Sequence, residues 1–522
     1  MGKKQRHIIN ACIALFFIIF VIAPVVSMLC RITPAGIQQL TRSSQFYQAV
    51  WNSAAIALTA TVITIIISLL TAWFLERLQV KWKTLFEMIF ILPMLIPSIS
   101  HALGLMALFG NNGLLTNFLH LEVSIYGFWG MVAASVMYSF PVSFLMFSGI
   151  LKYEDGLAYK AAEVLGVPAF RRFMDITLPY MKKTIISAFF AVFTMIITDY
   201  GVPLMIRGKM TTLSVLMYDK AVSMMDYDAG SVTGAVLLLP ALIAFFVDLL
   251  NPENGQSNFV CEPVTSKKRT LSNMAAFIFC TIVSICIIAP IISFCVVVFE
   301  TKYPVNPTFT LYHIQKTINR GADQYLLNSI LYSLLTAVIG TGLAFVCAYL
   351  TARVKDSFSR GLHLLSITSM AIPGIVLGLS YVIFFHDSPL YGTILIIVLV
   401  NAIHFFASPY LIMYNTLGKI NPNIEAVGKC LGVNRMYVIK DIIFPKIRSS
   451  IWEMFAYFFV NSMMTISAVS FLVPPAPKPV ALMINQFESQ LLMESAAFVA
   501  LLILGVNVAL KSIIVYFSGN RE

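Results

Sequence analysis

The sequence predicts an all-α integral membrane protein of about twelve transmembrane helices, arranged as two homologous six-helix halves. Three observations predict it. Of 522 residues, 59% are apolar and only 11% charged, where soluble chains carry about 25% charged residues. Apolar stretches near 8–30, 50–75, 85–110, 124–150, 184–206, 229–250, 271–299, 327–352, 361–386, 391–413, 450–474 and 494–517 reach the length that crosses a hydrocarbon core, roughly 20 residues. Markers also recur at fixed distances. Asn52-Ser53 and Pro97 return as Asn328-Ser329 and Pro373 at an offset of 276, while Leu165, Gly166, Asp175 and Pro179 return as Leu431, Gly432, Asp441 and Pro445 at an offset of 266.

The repeat sets the domain organisation: a first half over 1–255 and a second over 256–522, in the same orientation. The polar linker Asn251–Asn258 and the triplet Lys267-Lys268-Arg269 lie around the boundary. The fall in offset from 276 to 266 requires ten fewer residues in the second half. We expect the loss in the loop where Phe109–Phe118 is replaced by the short His386–Tyr391.

Charge orients the chain. With both termini cytoplasmic, inner segments hold 26 of the 35 Lys and Arg, the positive-inside bias of a multi-pass plasma (cell inner) membrane protein. The net charge of +11 then needs no nucleic acid, and the bilayer is the surrounding partner. Met1 to Cys30 starts like a signal peptide, but its apolar run is too long and no small-x-small cleavage pattern follows, so it reads as a retained first span. The eight cysteines contain no C-x-x-C pair and mostly fall within spans, which suits buried apolar residues better than a metal cluster. His101, His363 and His404 are far apart and lack i,i+4 partners, so packed histidines are the expectation there too.

The repeated markers at 160–179 and 426–445 fall in inner loops, about 151–183 and 414–449. Leu157 to Leu165 contain no Pro or Gly and place Ala161, Ala162 and Leu165 on one stripe. Gly166 then ends the helix cheaply and Pro168 starts another, in which Phe173 recurs at helical spacing up to Pro179. Ile424, Val427, Leu431 and Gly432 repeat the plan. A helix–Gly–helix corner edged with small residues lets another surface approach closely.

These residues resemble the Glu-Ala-Ala loop of ATP-binding-cassette (ABC) importer permeases: Ala161, Ala162, Leu165, Gly166, Phe173 and Pro179 in the first copy, and Leu431, Gly432 and Pro445 in the second, flanked by Glu425 and Ala426. Lys160 stands where the family usually has Glu, and Glu425 falls one position early. The resemblance implies the permease fold with two coupling helices, at 156–166 and 422–432, each received by one of two copies of a cytoplasmic ABC ATPase. It also implies an extracytoplasmic solute-binding protein that delivers cargo. The chain contains no G-x-x-x-x-G-K-[ST]. It is therefore expected to be a transport subunit rather than an enzyme, with no cofactor of its own and with ATP and Mg on the partner ATPase.

The fused arrangement resembles the branch handling ferric iron, 2-aminoethylphosphonate, thiamine or polyamines, with ferric iron placed first. Ile197–Pro203 and Thr465–Leu472 look like segments common in that branch. They offer Asp199, Tyr200 and Ser467 as translocation-path or gate residues, and Asn461, in the eleventh span, either lines the path or joins helices by hydrogen bonds. An acid within a span costs roughly 2.5–3.5 kcal/mol on insertion scales, so Asp199 either lines a path or accepts hydrogen bonds beside the Gly201–Pro203 helix interruption. Pro97 and Pro373 are expected to kink their spans, either as pore corners or as packing bends. The rival reading is an ion-gradient-driven 6+6 secondary transporter, which would place more ionisable residues inside its spans. A membrane-embedded enzyme would need an H-E-x-x-H or a clustered acid–His set, and neither occurs.

Overall fold

A computed structural model describes residues 3–120, 124–154, 156–250, 270–303, 306–353, 357–472 and 478–519. The 255/256 boundary between the halves, with its polar linker and basic triplet, lies outside the described residues. The described chain is helical apart from two short antiparallel strands, Glu300–Lys302 and Asn306–Phe309.

Eight helices are long and apolar enough to cross a membrane alone, and three bent pairs raise the count to eleven among the described residues. Where a span is expected over 450–474, 465–472 is non-helical and the chain forms the helix Phe444–Met464, of 21 residues, which is not among those eleven. Lys446, Arg448, Glu453 and Asn461 make it too polar to be recognised by apolar length.

The kinks at the two prolines match each other. Lys83–Leu95 meets Ser98–Leu119 at 106°, and Phe358–Ala371 meets Gly374–Phe385 at 105°. The cause is local. A proline has no N–H for the helical ladder and forces the preceding residue out of the helical region. Ile96 (φ −125°, ψ 148°) and Ile372 (φ −113°, ψ 110°) are accordingly extended.

The ten-residue loss falls where expected. Phe109 and Phe385 end matching helices at an offset of 276, and Phe128 and Ile394 open the next ones at 266. The first half fills the interval with a short helix, Leu114–Leu119, whereas the second has only turns there. The Asn-Ser markers also gain a physical reason. Ser53 Oγ accepts the Leu213 N–H at 2.8 Å, and Ser329 Oγ accepts the Val480 N–H at 2.7 Å. Each serine receives the first residue of a short helix, Leu213–Tyr218 or Val480–Ser489, satisfying an amide that no helical carbonyl can reach.

The halves of the sequence are not the compact units of the fold. One unit comprises Ser43–Val215 and Leu242–His313, and the other comprises Met1–Arg42, Leu216–Ala241 and Ile314–Glu522. The first span of each half thus packs in the unit built on the other half's later spans. In the former unit, the span Leu271–Phe299 lies against Ser98–Phe109 so closely that a Cβ on Gly104 would sit 2.6 Å from Pro290 Cβ. A buried aromatic cluster in that unit packs Phe90 against Phe140 and Phe144, with centroids 5.5 and 5.2 Å apart. In the latter unit, Pro24 leaves the carbonyl of Phe20 without its helical donor. Tyr381 Oη donates to that oxygen at 2.7 Å, and Phe20 stacks on Phe385 at 5.8 Å. The proline defect is thereby turned into a docking point.

Candidate functional site

The two repeated loops fold alike, residue for residue. Gly156–Val164 and Asn423–Cys430 are short helices, and each ends on a glycine in the left-handed region, Gly166 at φ +73° and Gly432 at φ +70°. Val167 N–H donates to Ala162 O at 3.0 Å and Gly166 N–H to Glu163 O at 3.0 Å. In the second loop, Val433 N–H donates to Gly428 O at 2.9 Å and Gly432 N–H to Lys429 O at 3.2 Å. These paired bonds are the Schellman termination of a helix, which needs positive φ at the glycine. Beyond the adjoining residues of the chain, no atom lies within 4 Å of a Cβ placed on either glycine, so backbone conformation sets the residue type.

The next turns also match. Phe173–Thr177 and Ile439–Ile443 are π-turns, leading into Pro179 and Pro445. Each proline stands four residues after Asp175 or Asp441 and cannot donate to that residue's carbonyl, which explains why the ladder widens there. The shared Asp…Pro spacing marks this bulge. Phe173 packs edge-on against Trp73, 6.1 Å away.

The corners present apolar side chains at equivalent places: Leu165 is 80% and Leu431 74% exposed, Phe170 75% and Met436 69%. Ala161 and Ala426 are exposed beside them, as are Pro179 and Pro445, while Ala162 is half-buried. Glu425 points inward. It accepts from Tyr349 Oη at 2.8 Å and pairs with Arg353 Nε at 3.4 Å and Arg435 Nη2 at 3.7 Å. The acid beside the second corner is therefore held within its own unit.

Two arginines that the sequence reading passed over organise these loops. Arg353 donates to Ile420 O at 2.6 Å, Asn421 O at 3.2 Å and Leu417 O at 3.4 Å. Its counterpart Arg77 donates to Leu151 O at 3.1 Å and pairs with buried Glu154. Each arginine ends the second span of its half and holds the carbonyls from which the corner departs. A signal was present, because Arg77 and Arg353 stand at the same offset as the Asn-Ser markers.

Asp199, Tyr200 and Ser467 lie at helix breaks, and Asn461 lies in the last turn of the helix Phe444–Met464. Asp199 follows the helix Leu178–Ile197 and accepts from Val202 N–H at 2.9 Å and Gly201 N–H at 3.4 Å, with the Ser98 hydroxyl also hydrogen-bonded to it. It caps the short helix Gly201–Ile206. Tyr200 is buried, 1% exposed. Asn461 Nδ2 donates to Tyr457 O of its own helix at 2.8 Å. Its neighbour Ser462 joins two helices instead, accepting from Asn401 Nδ2 at 2.9 Å. Ser467 lies against Gly374. Among the described residues no three His, Cys, Asp or Glu side chains gather at a metal-binding spacing. His363 Nδ1 lies 2.6 Å from Tyr410 Oη, and His101 packs beside Tyr138 with ring centroids 5.8 Å apart.

Comparison with known proteins decides the family. The family described as "Binding-protein-dependent transport system inner membrane component" matches residues 68–253 and again 340–520. The chain belongs to this family. It is a two-half permease of a binding-protein-dependent ABC importer, a multi-pass inner-membrane transport component rather than an enzyme. The chain is 22% identical to the ferric transport system permease protein FbpB of Actinobacillus pleuropneumoniae, over 99% of this chain and 79% of that one. It is 23% identical to the putative ferric transport system permease protein FbpB 1 of Haemophilus influenzae, over 88% of this chain and 77% of that one. The sulfate transport system permease protein CysT of Escherichia coli is 27% identical over 41% of this chain and 82% of its own length, so a relative of half the size matches about one half here. Both family matches begin inside the second span of a half, leaving outside them the first spans that change units in the fold.

Proposed function

We propose that this permease carries ferric iron, delivered by an extracytoplasmic binding protein, and that its two corners each seat one copy of a cytoplasmic ATPase. The observation that carries the coupling reading is the matched pair of corners, with the same termination, the same π-turn and the same exposed apolar side chains at Leu165/Leu431 and Phe170/Met436. A polar surface loop has no need to repeat such geometry. Similarity to two ferric permeases along most of the chain supports the cargo.

In this reading both termini and both corners face the cytoplasm, in line with the distribution of Lys and Arg. ATP-driven closure of the ATPases draws the corners together, and the broken helices around Asp199, Tyr200, Asn461 and Ser467 open a path by alternating access. Loaded binding protein and ATP closure must favour each other equally in binding terms. The permease supplies no cofactor, and ATP and Mg sit on the partner.

The test is reconstitution in vesicles with the candidate ATPase and binding protein. Gly166→Pro or Gly432→Pro is expected to abolish ATPase association or cargo-stimulated hydrolysis while the chain still inserts. Wild-type transport by both variants would sink the coupling reading. Uptake of 2-aminoethylphosphonate, thiamine or a polyamine in place of iron would overturn the cargo.

A further inference from the structure

In each half, the helix that follows the kinked proline crosses the break that follows the corner-linked span, and the crossing is built from small residues. In the first half, Ser98 and Ala102 of the helix Ser98–Phe109 share a face. A Cβ added to Gly201 would collide with Ser98 Oγ and lie 2.9 Å from the backbone nitrogen of Ile99. In the second half, Gly374 and Gly378 of the helix Gly374–Phe385 take the same places. A Cβ on Gly374 would lie 2.7 Å from Ser467 Oγ and 2.8 Å from His404 Nε2, and one on Gly378 would lie 2.6 Å from Ala468 O. This is the small-x-x-x-small contact that lets membrane helices touch backbone to backbone.

The repeat arithmetic exposes a reciprocity. Ser98 corresponds to Gly374 at the 276 offset, and Gly201 to Ser467 at the 266 offset. Each crossing therefore pairs one serine with one bare α-carbon, and the two halves place them on opposite partners. Two serines would overfill either crossing. The arrangement keeps the combined size of the pair while neither residue is kept.

The crossings also stand at the far ends of rods that begin at the corners. Leu178–Ile197 runs 20 residues from the first π-turn to the Asp199 break, about 30 Å of continuous helix. Phe444–Met464 does the same in the second half with 21 residues. We propose that the Ser98/Gly201 and Gly374/Ser467 crossings are the contacts through which displacement of each corner-linked rod moves the broken helix beside the path. Ser98, Gly201, Gly374 and Ser467 are thus positioning residues for transport. The proposal rests on the corner-docking reading above. With backbone against backbone at Gly201–Ile99 and Gly378–Ala468, and only a serine side chain and the packed His404 ring beside them, the end of a rod and the kinked helix it touches resist sliding independently, so a push on the rod reaches that helix.

The test is a compensation series assayed for ATPase association, cargo-stimulated ATP hydrolysis and cargo uptake. Gly201→Ser is expected to keep ATPase association and hydrolysis while uptake falls by about tenfold or more, the scale of overpacking a tight contact. The double variant Ser98→Gly with Gly201→Ser reproduces the second half's crossing but also removes the Ser98 hydroxyl from Asp199, so it is expected to regain part of the uptake above Gly201→Ser alone, the coupling that double-mutant cycles detect between touching residues. Uptake by the double variant no better than by Gly201→Ser alone overturns the proposal, as does wild-type uptake by Gly201→Ser. If Gly201→Ser fails to insert, Gly374→Ser against Gly374→Ser with Ser467→Gly decides by the same criterion. Failure of the wild-type chain to bind the ATPase overturns the corner reading and this proposal together, and is seen before any variant is compared.

Discussion

Replacing the corner glycines with alanine isolates a single energetic term. At Gly166 and Gly432 the space for a methyl group is open, with no atom beyond the adjoining residues within 4 Å, so neither clash nor lost packing contributes. What remains is the left-handed backbone at φ +73° and +70°, which costs an L-residue about 1–2 kcal/mol. At about 1 kcal/mol per corner, each alanine lowers the ratio of formed to unformed Schellman corner about fivefold, and the product of the two ratios falls about thirtyfold if the sites act independently. Asparagine, which tolerates this conformation, should fall between glycine and alanine. Proline should be far worse, because its ring holds φ in the negative region and removes the N–H that bonds Glu163 O or Lys429 O. The assay is a titration of the purified ATPase against the permease in nanodiscs. The expected order of affinity is Gly, Asn, Ala, Pro, with the chain's own melting temperature nearly unchanged by Ala. Equal affinity for Gly and Ala, or an Asn variant as weak as Ala, would refute the claim that ATPase binding depends on the left-handed corner.

Three further perturbations follow from the contacts. Arg353→Ala removes a side chain only 3% exposed that pairs with Glu425 and takes a donor from the carbonyls of Ile420, Asn421 and Leu417, while Glu425 keeps Tyr349 and Arg435. A loss of about 1–3 kcal/mol is expected from the lost charged hydrogen bonds, read as a drop in thermal stability, with Arg353→Lys recovering part of it. Tyr381→Phe strips the hydroxyl that meets the carbonyl left open by Pro24 and should cost about 1–3 kcal/mol; adding Pro24→Ala restores a helical N–H and should return most of that, and a double variant no more stable than the single one would refute the account. Asp199→Asn keeps one acceptor for the short helix but turns the other oxygen into an NH₂ group that cannot accept from Val202 or Gly201 N–H, so a destabilisation of about 1 kcal/mol is expected. Unchanged stability together with unchanged uptake would reject both its capping and its path role.

Much of this fold was legible because its decisive features are local backbone chemistry. Pro97 and Pro373 lack an N–H wherever they occur, so bends followed, and the two bends are nearly equal. Gly166 and Gly432 stood where only a left-handed terminator fits. The ten-residue loss could be placed because offsets survive sequence divergence. The assignment of first spans to units was not legible. A span that buries apolar side chains against a neighbour and one that faces lipid have nearly the same composition, because lipid tails are as apolar as leucine. The docking points that decide the matter, Tyr381 on the Phe20 carbonyl and Gly104 against Pro290, join residues far apart in sequence.

The repeat offsets held more than identity could show. Identity between copies identifies positions where the same residue does the same work twice, as with the corner glycines and the Asn-Ser markers. Arg77 and Arg353 passed that test and were missed only because a basic residue at a span end reads first as a topology signal. The helix crossings fail the test altogether, since Ser98 aligns with Gly374 and Gly201 with Ser467. What the two halves share there is the combined volume of a touching pair, a quantity that no single aligned position carries. Close packing leaves no room for a second hydroxymethyl group and loses contact if both are absent, so a change on one partner is matched on the other. A repeat that seems to have diverged at two positions can therefore have kept one contact.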